Sequence, residues 1–160
     1  MKKFVYILLV ISFMSLSFVG CSSNSSNLIT KEQYKSESKL NDSIMTREID
    51  ISKNKSLEFK KEINSITKIN GVYSYDNEAY GLFSNKENKK LILFNGIDGY
   101  YSDVNFSIEN KVLTISYKYN TEKGLNKKSL FMVDDSNKNK SYGKVDLYNN
   151  GKQDAFVTVY

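Results

Sequence analysis

The chain contains no histidine, no tryptophan and no proline, and it has one cysteine in 160 residues. Without histidine it cannot build a Ser-His-Asp triad, a Cys-His pair or an imidazole metal site. A single cysteine excludes an internal disulfide and cysteine-ligated zinc or iron–sulfur sites. The side chains left for chemistry are carboxylates, lysine, tyrosine and hydroxyls, so several common classes of active site are excluded.

Arginine is nearly absent as well. The chain has 23 basic residues and a net charge of +5, but Arg47 is its one arginine. Lysine and asparagine are abundant, which is the bias that an AT-rich genome produces. Because arginine is the preferred side chain for reading and stacking on bases, its scarcity argues against nucleic acid as a partner.

The first 20 residues have the form of a secretory signal sequence. Lys2 and Lys3 make a short cationic start, and residues 4–20 then carry no charge. This apolar run is somewhat short for a membrane-spanning helix and typical of a signal peptide. It ends in Phe18-Val19-Gly20-Cys21, and a Ser/Asn spacer at residues 22–27 follows at once.

This junction resembles the lipobox of bacterial lipoproteins, in which an aliphatic residue and two small residues precede the cysteine that receives the lipid. Gly20 and Cys21 match the pattern, Val19 is compatible with it, and Phe18 stands where leucine is usual. The resemblance implies cleavage after residue 20, a diacylglyceride on Cys21, and a location on the outer face of the cell membrane, in a bacterium that we expect to be Gram-positive. The alternative is an uncleaved signal anchor with an incidental cysteine.

The rest of the chain divides into two parts by polarity. Residues 21–43 are polar, with few apolar positions, and predict a flexible tether. Residues 44–160 predict a single β-rich domain. Phe59, Ile63 and Ile66 have helical spacing, which predicts one short helix over residues 56–66.

From Ile69 onward, apolar residues recur with period two between Asn, Gly and Asp residues, which indicates strands. Besides residues 47–52, the predicted strands are 72–75, 79–83, 91–94, 129–133, 142–148 and 155–160. The runs at 91–94 and 130–133 are entirely apolar, which predicts strands that are central or covered on both faces. The fold class is therefore mainly β, a small antiparallel barrel or sandwich with one short N-terminal helix, and an α+β fold is the alternative.

One hairpin is predicted together with its register. A two-residue turn at Asn110-Lys111 places three apolar pairs on one face of the sheet. Because Lys111 is an unfavourable residue for positive φ, a longer turn is the alternative. The predicted pairs are Ile108 with Leu113, Phe106 with Ile115, and Val104 with Tyr117.

The segment from Asp146 to Asp154 supports two interpretations. Its spacing of Asp146, Asn150, Gly151 and Asp154 is similar to calcium loops of extracellular β-repeat proteins, in which hard oxygen ligands surround the ion. Alternatively, Asn150-Gly151 forms a type I′ turn of a plain hairpin, which avoids placing Asp146 opposite Asp154. The Asn-Gly pair favours the hairpin. No other cofactor is expected, and residues 134–140, with two aspartates and two lysines, predict a solvated connector.

The chain has 12 tyrosines and 9 phenylalanines, which suit both sheet formation and contact with a partner. The doublet Tyr100-Tyr101, after a Gly-rich loop, is the predicted exposed contact pair. Since no nucleophile–base motif or phosphate loop is present, we expect a non-catalytic surface lipoprotein that binds a protein or cell-envelope partner. A lipocalin-like binder of a small ligand is the alternative, and a carboxylate-based hydrolase is a third hypothesis.

Overall fold

The computed structural model describes residue 29 and residues 31–53, 57–65, 68–76, 88–137 and 141–159. One α-helix, α1, spans Leu57–Ser65, and short 3₁₀ turns occupy Lys31–Gln33 and Ile51–Lys53. The strands in chain order are β1 Tyr34–Lys39, β2 Ile44–Ile49, β3 Gly71–Asp76, β4 Lys89–Asn95, β5 Gly99–Glu109, β6 Val112–Thr121, β7 Lys128–Asp135, β8 Lys144–Asn149, β9 Lys152–Asp154 and β10 Thr158–Val159. No helix in this described part of the chain is both long and apolar enough to cross a membrane.

The strands form two sheets. The larger has six strands in the order β1-β2-β7-β4-β3-β10, and the smaller has four in the order β5-β6-β8-β9. Within the described ranges neither sheet closes on itself, so the mainly β prediction is confirmed as a sandwich and the barrel alternative is wrong. Two neighbouring pairs, β3 with β10 and β6 with β8, are parallel, so the sheets are not purely antiparallel.

The six-stranded sheet is the middle layer, because both of its faces are buried. Its first face packs on α1 and on the residues before β1, in what we call the helix-side core: Ile29, Ile49, Ile63, Tyr73, Tyr75, Leu91, Leu93, Leu130 and Met132. Its second face packs on the four-stranded sheet, in what we call the intersheet core: Ile44, Val72, Ile92, Phe94, Val133, Tyr101, Phe106, Leu113, Ile115, Tyr117 and Leu147.

Residues 91–94 of strand β4 are apolar without interruption because both faces of the strand are buried. Leu91 and Leu93 point into the helix-side core, while Ile92 and Phe94 point into the intersheet core. Successive side chains of a strand lie on opposite faces, so a strand covered on both sides needs apolar residues at every position. All four are fully buried, which confirms the prediction that this run is a central strand.

The β5–β6 hairpin confirms most of the predicted register. Ile108 pairs with Leu113 and Phe106 with Ile115. The turn is the two residues Asn110 and Lys111, both with positive φ (50° and 63°), as a type I′ turn requires. The third predicted pair, Val104 with Tyr117, is wrong, because a β-bulge between Ser102 and Asn105 shifts the register there.

The sequence predicted that ordered structure starts at Ile44, but in the structure it begins earlier in the chain. Strand β1 lies inside the segment predicted as a tether and pairs with β2 from Tyr34 to Lys39. Ile29, still nearer to the N-terminus, is buried in the helix-side core with 8% of its surface exposed. The folded part therefore includes the second half of the predicted tether.

Three other predicted strands differ from the structure or lie outside its description. The strand predicted over residues 47–52 is β2, which spans Ile44–Ile49, and Ile51–Lys53 form a 3₁₀ turn. Residues 79–83 are not among the described residues. Residues 155–160 were predicted as one strand. Among the described residues of this segment, Thr158–Val159 form β10 and pair with β3, and residues 155–157 precede that strand. The helix predicted over residues 56–66 is confirmed as α1.

Candidate functional site

A groove of about 190 Å³ lies on one lateral side of the sandwich, between the edge of each sheet. We call it the edge groove. It is lined by residues 36–38 of β1, Leu40 after β1, Thr46 and Glu48 of β2, residues 104–106 of β5, and Phe131 of β7. Concave sites with apolar floors and a few polar groups are the usual form of binding sites in proteins, so this groove is the candidate functional site.

The floor of the edge groove is aromatic and continuous with the intersheet core. The Phe106 and Phe131 rings lie 5.4 Å apart, and Phe131 meets Phe94 edge-on at 5.6 Å. Phe106 retains 8% exposure and Phe94 is fully buried. These packed rings hold the floor in place without help from a ligand, so the groove is preformed.

The rim of the groove on the β1 side carries hydroxyls. Ser36 and Ser38 are exposed, and the Thr46 hydroxyl donates a hydrogen bond to the carbonyl of Ser38 at 3.4 Å. In the β1–β2 turn, the Asn41 side-chain oxygen accepts hydrogen bonds from the backbone N–H groups of Ser43 and Ile44, both at 2.8 Å. This local cap fixes the turn next to the groove.

Two residues that line the groove carry carboxylates, and each is paired with a cation: Glu48 on the groove side of the larger sheet and Glu37 on its other face. Glu48 accepts a hydrogen bond from Lys35 Nζ at 3.0 Å. Glu37 binds Arg47, which also donates to Asp134 at 2.7 Å and lies over the Tyr34 ring at 5.2 Å. Burial alone would lower the pKa of Arg47, but its hydrogen bonds to the two carboxylates outweigh burial and raise it. The groove is therefore polar at its rim and nearly neutral.

Tyr100 and Tyr101 do not form the exposed pair that the sequence predicted. Because they are neighbours on β5, their side chains lie on opposite faces. Tyr100 is half-buried, with Lys127 Nζ 5.8 Å from its ring centre, whereas Tyr101 belongs to the intersheet core. The prediction that Tyr101 is an exposed contact residue is therefore wrong.

Tyr101 belongs to an aromatic cluster with Phe94, Tyr117 and Tyr119, at centroid distances of 5.0 to 5.5 Å. Burial raises the pKa of the Tyr101 phenol well above its ordinary value. Burial also raises the pKa of Tyr117, which donates a hydrogen bond to Asp154 Oδ2 at 2.9 Å. These tyrosines fill the intersheet core rather than a surface site.

The structure does not bring Asp146, Asn150 and Asp154 together. Asn150 and Gly151 form a two-residue turn with φ of 51° and 76°, and the ladder places Asp154 opposite Leu147. Asp154 therefore points to the face of Leu147, while Asp146, one residue earlier, points to the other face. Asp146 pairs instead with Lys144 at 2.9 Å, so the segment is the plain hairpin that the Asn-Gly pair favoured.

The sequence did not identify the role of Asp135. It lies in β7 and is almost fully buried, inside the segment predicted to be a solvated connector. Its carboxylate accepts hydrogen bonds from the Ser141 hydroxyl at 2.9 Å and from the backbone N–H of Asn137 at 3.0 Å. Asp135 therefore ties the end of β7 to the start of β8, which is a structural role.

Cys21, the predicted site of lipid attachment, lies outside the described residues. Comparison of the chain with protein-family models, curated proteins and solved structures finds no match. The argument for function therefore depends on the residues themselves and on the geometry of the edge groove.

Proposed function

We propose that this protein is a lipid-anchored lipoprotein of the outer face of the bacterial cell membrane, and that its β-sandwich binds a protein partner without catalysing a reaction. The residues around Cys21 support the anchor, because a cationic start, an apolar run and a small residue precede the only cysteine, and a polar spacer follows it. The edge groove is the observation that supports binding.

The packing of the sandwich favours a surface partner over an enclosed small ligand. The intersheet core is filled by side chains such as Phe94, Leu113, Ile115 and Val133, all fully buried. A lipocalin-like protein holds its ligand inside a closed barrel, whereas the concave site found here opens on the side of a sandwich. A surface groove of this kind suits one segment of a larger partner.

The charges near the groove favour binding over hydrolysis. Catalytic carboxylates need environments that separate their proton affinities. Here Glu48 lies 3.0 Å from Lys35, and Glu37 shares Arg47 with Asp134. Each of these carboxylates is paired with a cation, an arrangement suited to a stable structural role.

The anchor is tested by labelling growing cells with radioactive palmitate. The natural chain should incorporate the label and sediment with membranes, and Cys21→Ser should do neither, because the acceptor sulfur is missing. Ser22→Ala, which changes the next hydroxyl and leaves the cysteine, is the matched control and should behave as the natural chain. Labelling that persists in Cys21→Ser would overturn the lipoprotein assignment.

Binding through the groove is tested in the same cells with a photo-crosslinking amino acid. It replaces Asn105, at the groove, or Gln153, an exposed amide on β9 at the opposite edge of the same sheet. We expect one discrete protein adduct from position 105 and none from position 153. Adducts of equal yield at both positions, or at 153 alone, would contradict binding through the edge groove.

A further inference from the structure

The edge groove is bounded by the backbone of two edge strands. Strand β1 is the terminal strand of the six-stranded sheet, and β5 is the terminal strand of the four-stranded sheet. Three consecutive residues of each strand, 36–38 and 104–106, line the groove. Because side chains alternate along a strand, consecutive residues line a groove only where the backbone edge faces it. Among the described residues, Gly99 at the start of β5 forms an isolated bridge to Asn126, and the rest of β5 pairs with β6 alone. The outer N–H and C=O groups of residues 104–106 therefore face the groove.

The usual spacings of sheets and strands would place a strand added to β5 close to β1. Facing sheets pack about 10 Å apart, and paired strands lie about 4.8 Å apart. A peptide paired with β5 would therefore lie within side-chain reach of β1. Exposed edges of this kind bind extended segments by adding a strand to the sheet, with main-chain hydrogen bonds for affinity and a pocket for specificity.

Each of the two edge strands carries a β-bulge beside the groove. The register shifts between Tyr34 and Ser36 in β1, and between Ser102 and Asn105 in β5, where Asp103 has a φ of 52°. Bulges bend an edge and end regular pairing, which prevents indiscriminate edge-to-edge association. On β5 the regular ladder runs from Asn105 to Glu109, so an added strand has about five residues to pair with.

The walls of the groove select the side chain that enters it. Its floor is formed by Phe106 and Phe131, and its rim by the hydroxyls of Ser36 and Ser38. The nearby charges are already neutralised within the protein, since Glu48 is paired with Lys35. An uncharged, mainly apolar side chain fits this environment, whereas a charged one would lose its hydration without gaining a free counter-charge.

We infer that the edge groove binds an extended peptide segment of a partner protein, which adds a strand to β5 from Asn105 onward and places one uncharged side chain on Phe106 and Phe131. This inference rests on the proposed function, because it names the kind of partner segment that the same groove binds. The occupant is recognised mainly through its backbone, so its sequence is constrained at few positions.

The test uses the full lipoprotein in detergent micelles and a phage-displayed library of random twelve-residue peptides. The selected peptide is synthesised, and its dissociation constant is measured by fluorescence polarisation. A series of analogues then carries a single N-methyl group at each backbone nitrogen in turn. In an antiparallel or parallel ladder, alternate N–H groups of an edge strand point to its neighbour. We expect N-methylation at alternate positions to raise the dissociation constant at least tenfold. N-methylation at the intervening positions should change the dissociation constant less than threefold.

Two matched variants locate the peptide. Ser36→Arg places a bulky cation on the rim of the groove and should weaken peptide binding at least tenfold. Gln153→Arg adds the same charge at the far edge of the smaller sheet and should leave binding unchanged. Circular dichroism checks that both variants are folded. A uniform response to N-methylation, equal effects of the two variants, or a library that yields no peptide sensitive to Ser36→Arg would each overturn the inference.

The proposed function can survive that failure. If no such peptide is found while the photo-crosslink at position 105 still captures one protein, the groove binds a folded surface and not an extended segment. If soluble cell-wall oligosaccharides bind instead, and Ser36→Arg weakens their binding, the occupant is a glycan and the peptide inference is wrong. If neither the crosslink nor any probe responds at position 105, the proposed function itself fails.

Discussion

Tyr117 connects the intersheet core to the last hairpin of the smaller sheet. Its ring packs edge-on against Phe94, and its hydroxyl donates a hydrogen bond to Asp154 at 2.9 Å. Asp154 also accepts a hydrogen bond from the backbone N–H of Ala155 at 2.8 Å. One phenol therefore holds strand β9 and the residues that follow it against the core.

The protonation of Tyr101 and Tyr117 should make the fold sensitive to alkaline pH. Burial raises the pKa of both phenols above the ordinary value of 10.0. The folded state then holds these protons more tightly than the unfolded state, so their contribution to stability is complete below about pH 10 and is lost as pH rises above it. Urea unfolding at several values between about pH 8 and pH 11 should show that loss.

The variant Tyr117→Phe tests whether the Tyr117 phenol causes the loss of stability at alkaline pH. At neutral pH it should lower the free energy of unfolding by about 1 kcal/mol, since the hydrogen bond to Asp154 is removed. Above pH 10 it should lose stability less steeply than the natural chain, because one titrating phenol is gone. An unchanged alkaline slope would mean that lysine deprotonation, and not Tyr117, controls the pH response.

The Tyr100-Tyr101 doublet shows what local pattern misses at the level of single residues. Both were assigned to a surface because they follow a Gly-rich loop, yet a strand sends neighbours to opposite faces. Once β5 is known to cover a core, one of the two must be buried. Which one is buried depends on the bulge between Ser102 and Asn105 and on the other sheet, neither of which the sequence specifies.

At the scale of elements, the two hairpin turns share a geometry but not a sequence. Asn110-Lys111 and Asn150-Gly151 both have two positive φ angles. Glycine adopts this region freely, whereas a residue with a Cβ costs roughly 1–2 kcal/mol there. The β5–β6 turn therefore carries a backbone strain that the β8–β9 turn avoids.

Exchanging the turn residues should have opposite effects on stability. Lys111→Gly should raise the free energy of unfolding by about 0.5–1 kcal/mol, and Gly151→Lys should lower it by about 1 kcal/mol. No heavy atom lies within 4 Å of a Cβ built at Gly151, so the second change tests the backbone alone. Both are measured by urea unfolding.

Lys111→Ala is the control for that pair. It removes the side chain but keeps the strain, and should therefore give none of the gain of Lys111→Gly. An equal gain from alanine would attribute the effect to loss of the lysine charge near the turn.

The elements that could be predicted are those defined by neighbouring residues. The β5–β6 register follows from alternation around a two-residue turn, and β4 from an unbroken apolar run. Strand β1 could not be predicted, because its residues after Tyr34 are Lys, Ser and Glu. These residues form a strand because their backbone pairs with β2. Since β1 is an exposed edge strand, its side chains need not alternate between apolar and polar. The edge groove lies between the terminal strands of the two sheets. It could not be predicted, because the local sequence does not show which strands are terminal.

At the scale of the whole molecule, the segment before β2 completes the fold. Ile29 and Tyr34 pack on the helix-side core, and β1 extends the six-stranded sheet and forms one side of the groove. The free energy of unfolding of a chain that begins at residue 44 should therefore be lower by at least about 3 kcal/mol than that of a chain that begins at residue 29. Burial of Ile29 alone contributes about 2 kcal/mol. Urea unfolding of the two shortened chains measures the difference.

Equal stability of the two chains would mean that residues 29–43 add nothing to the fold, as expected for a tether. A chain from residue 29 that carries Ile29→Ser separates the two contributions. It should lose about 2 kcal/mol while keeping β1 paired with β2.

The interleaving of the two sheets also determines when each can form. Strand β7 lies between β2 and β4 in the larger sheet, although the chain builds β5 and β6 of the smaller sheet before reaching it. Strand β8 then returns to lie parallel to β6. A chain that becomes available from its N-terminus onward therefore holds two incomplete layers until β7 is present, and β8, β9 and β10 complete both layers between residues 144 and 159. Folding of this domain should be late, slow and all at once.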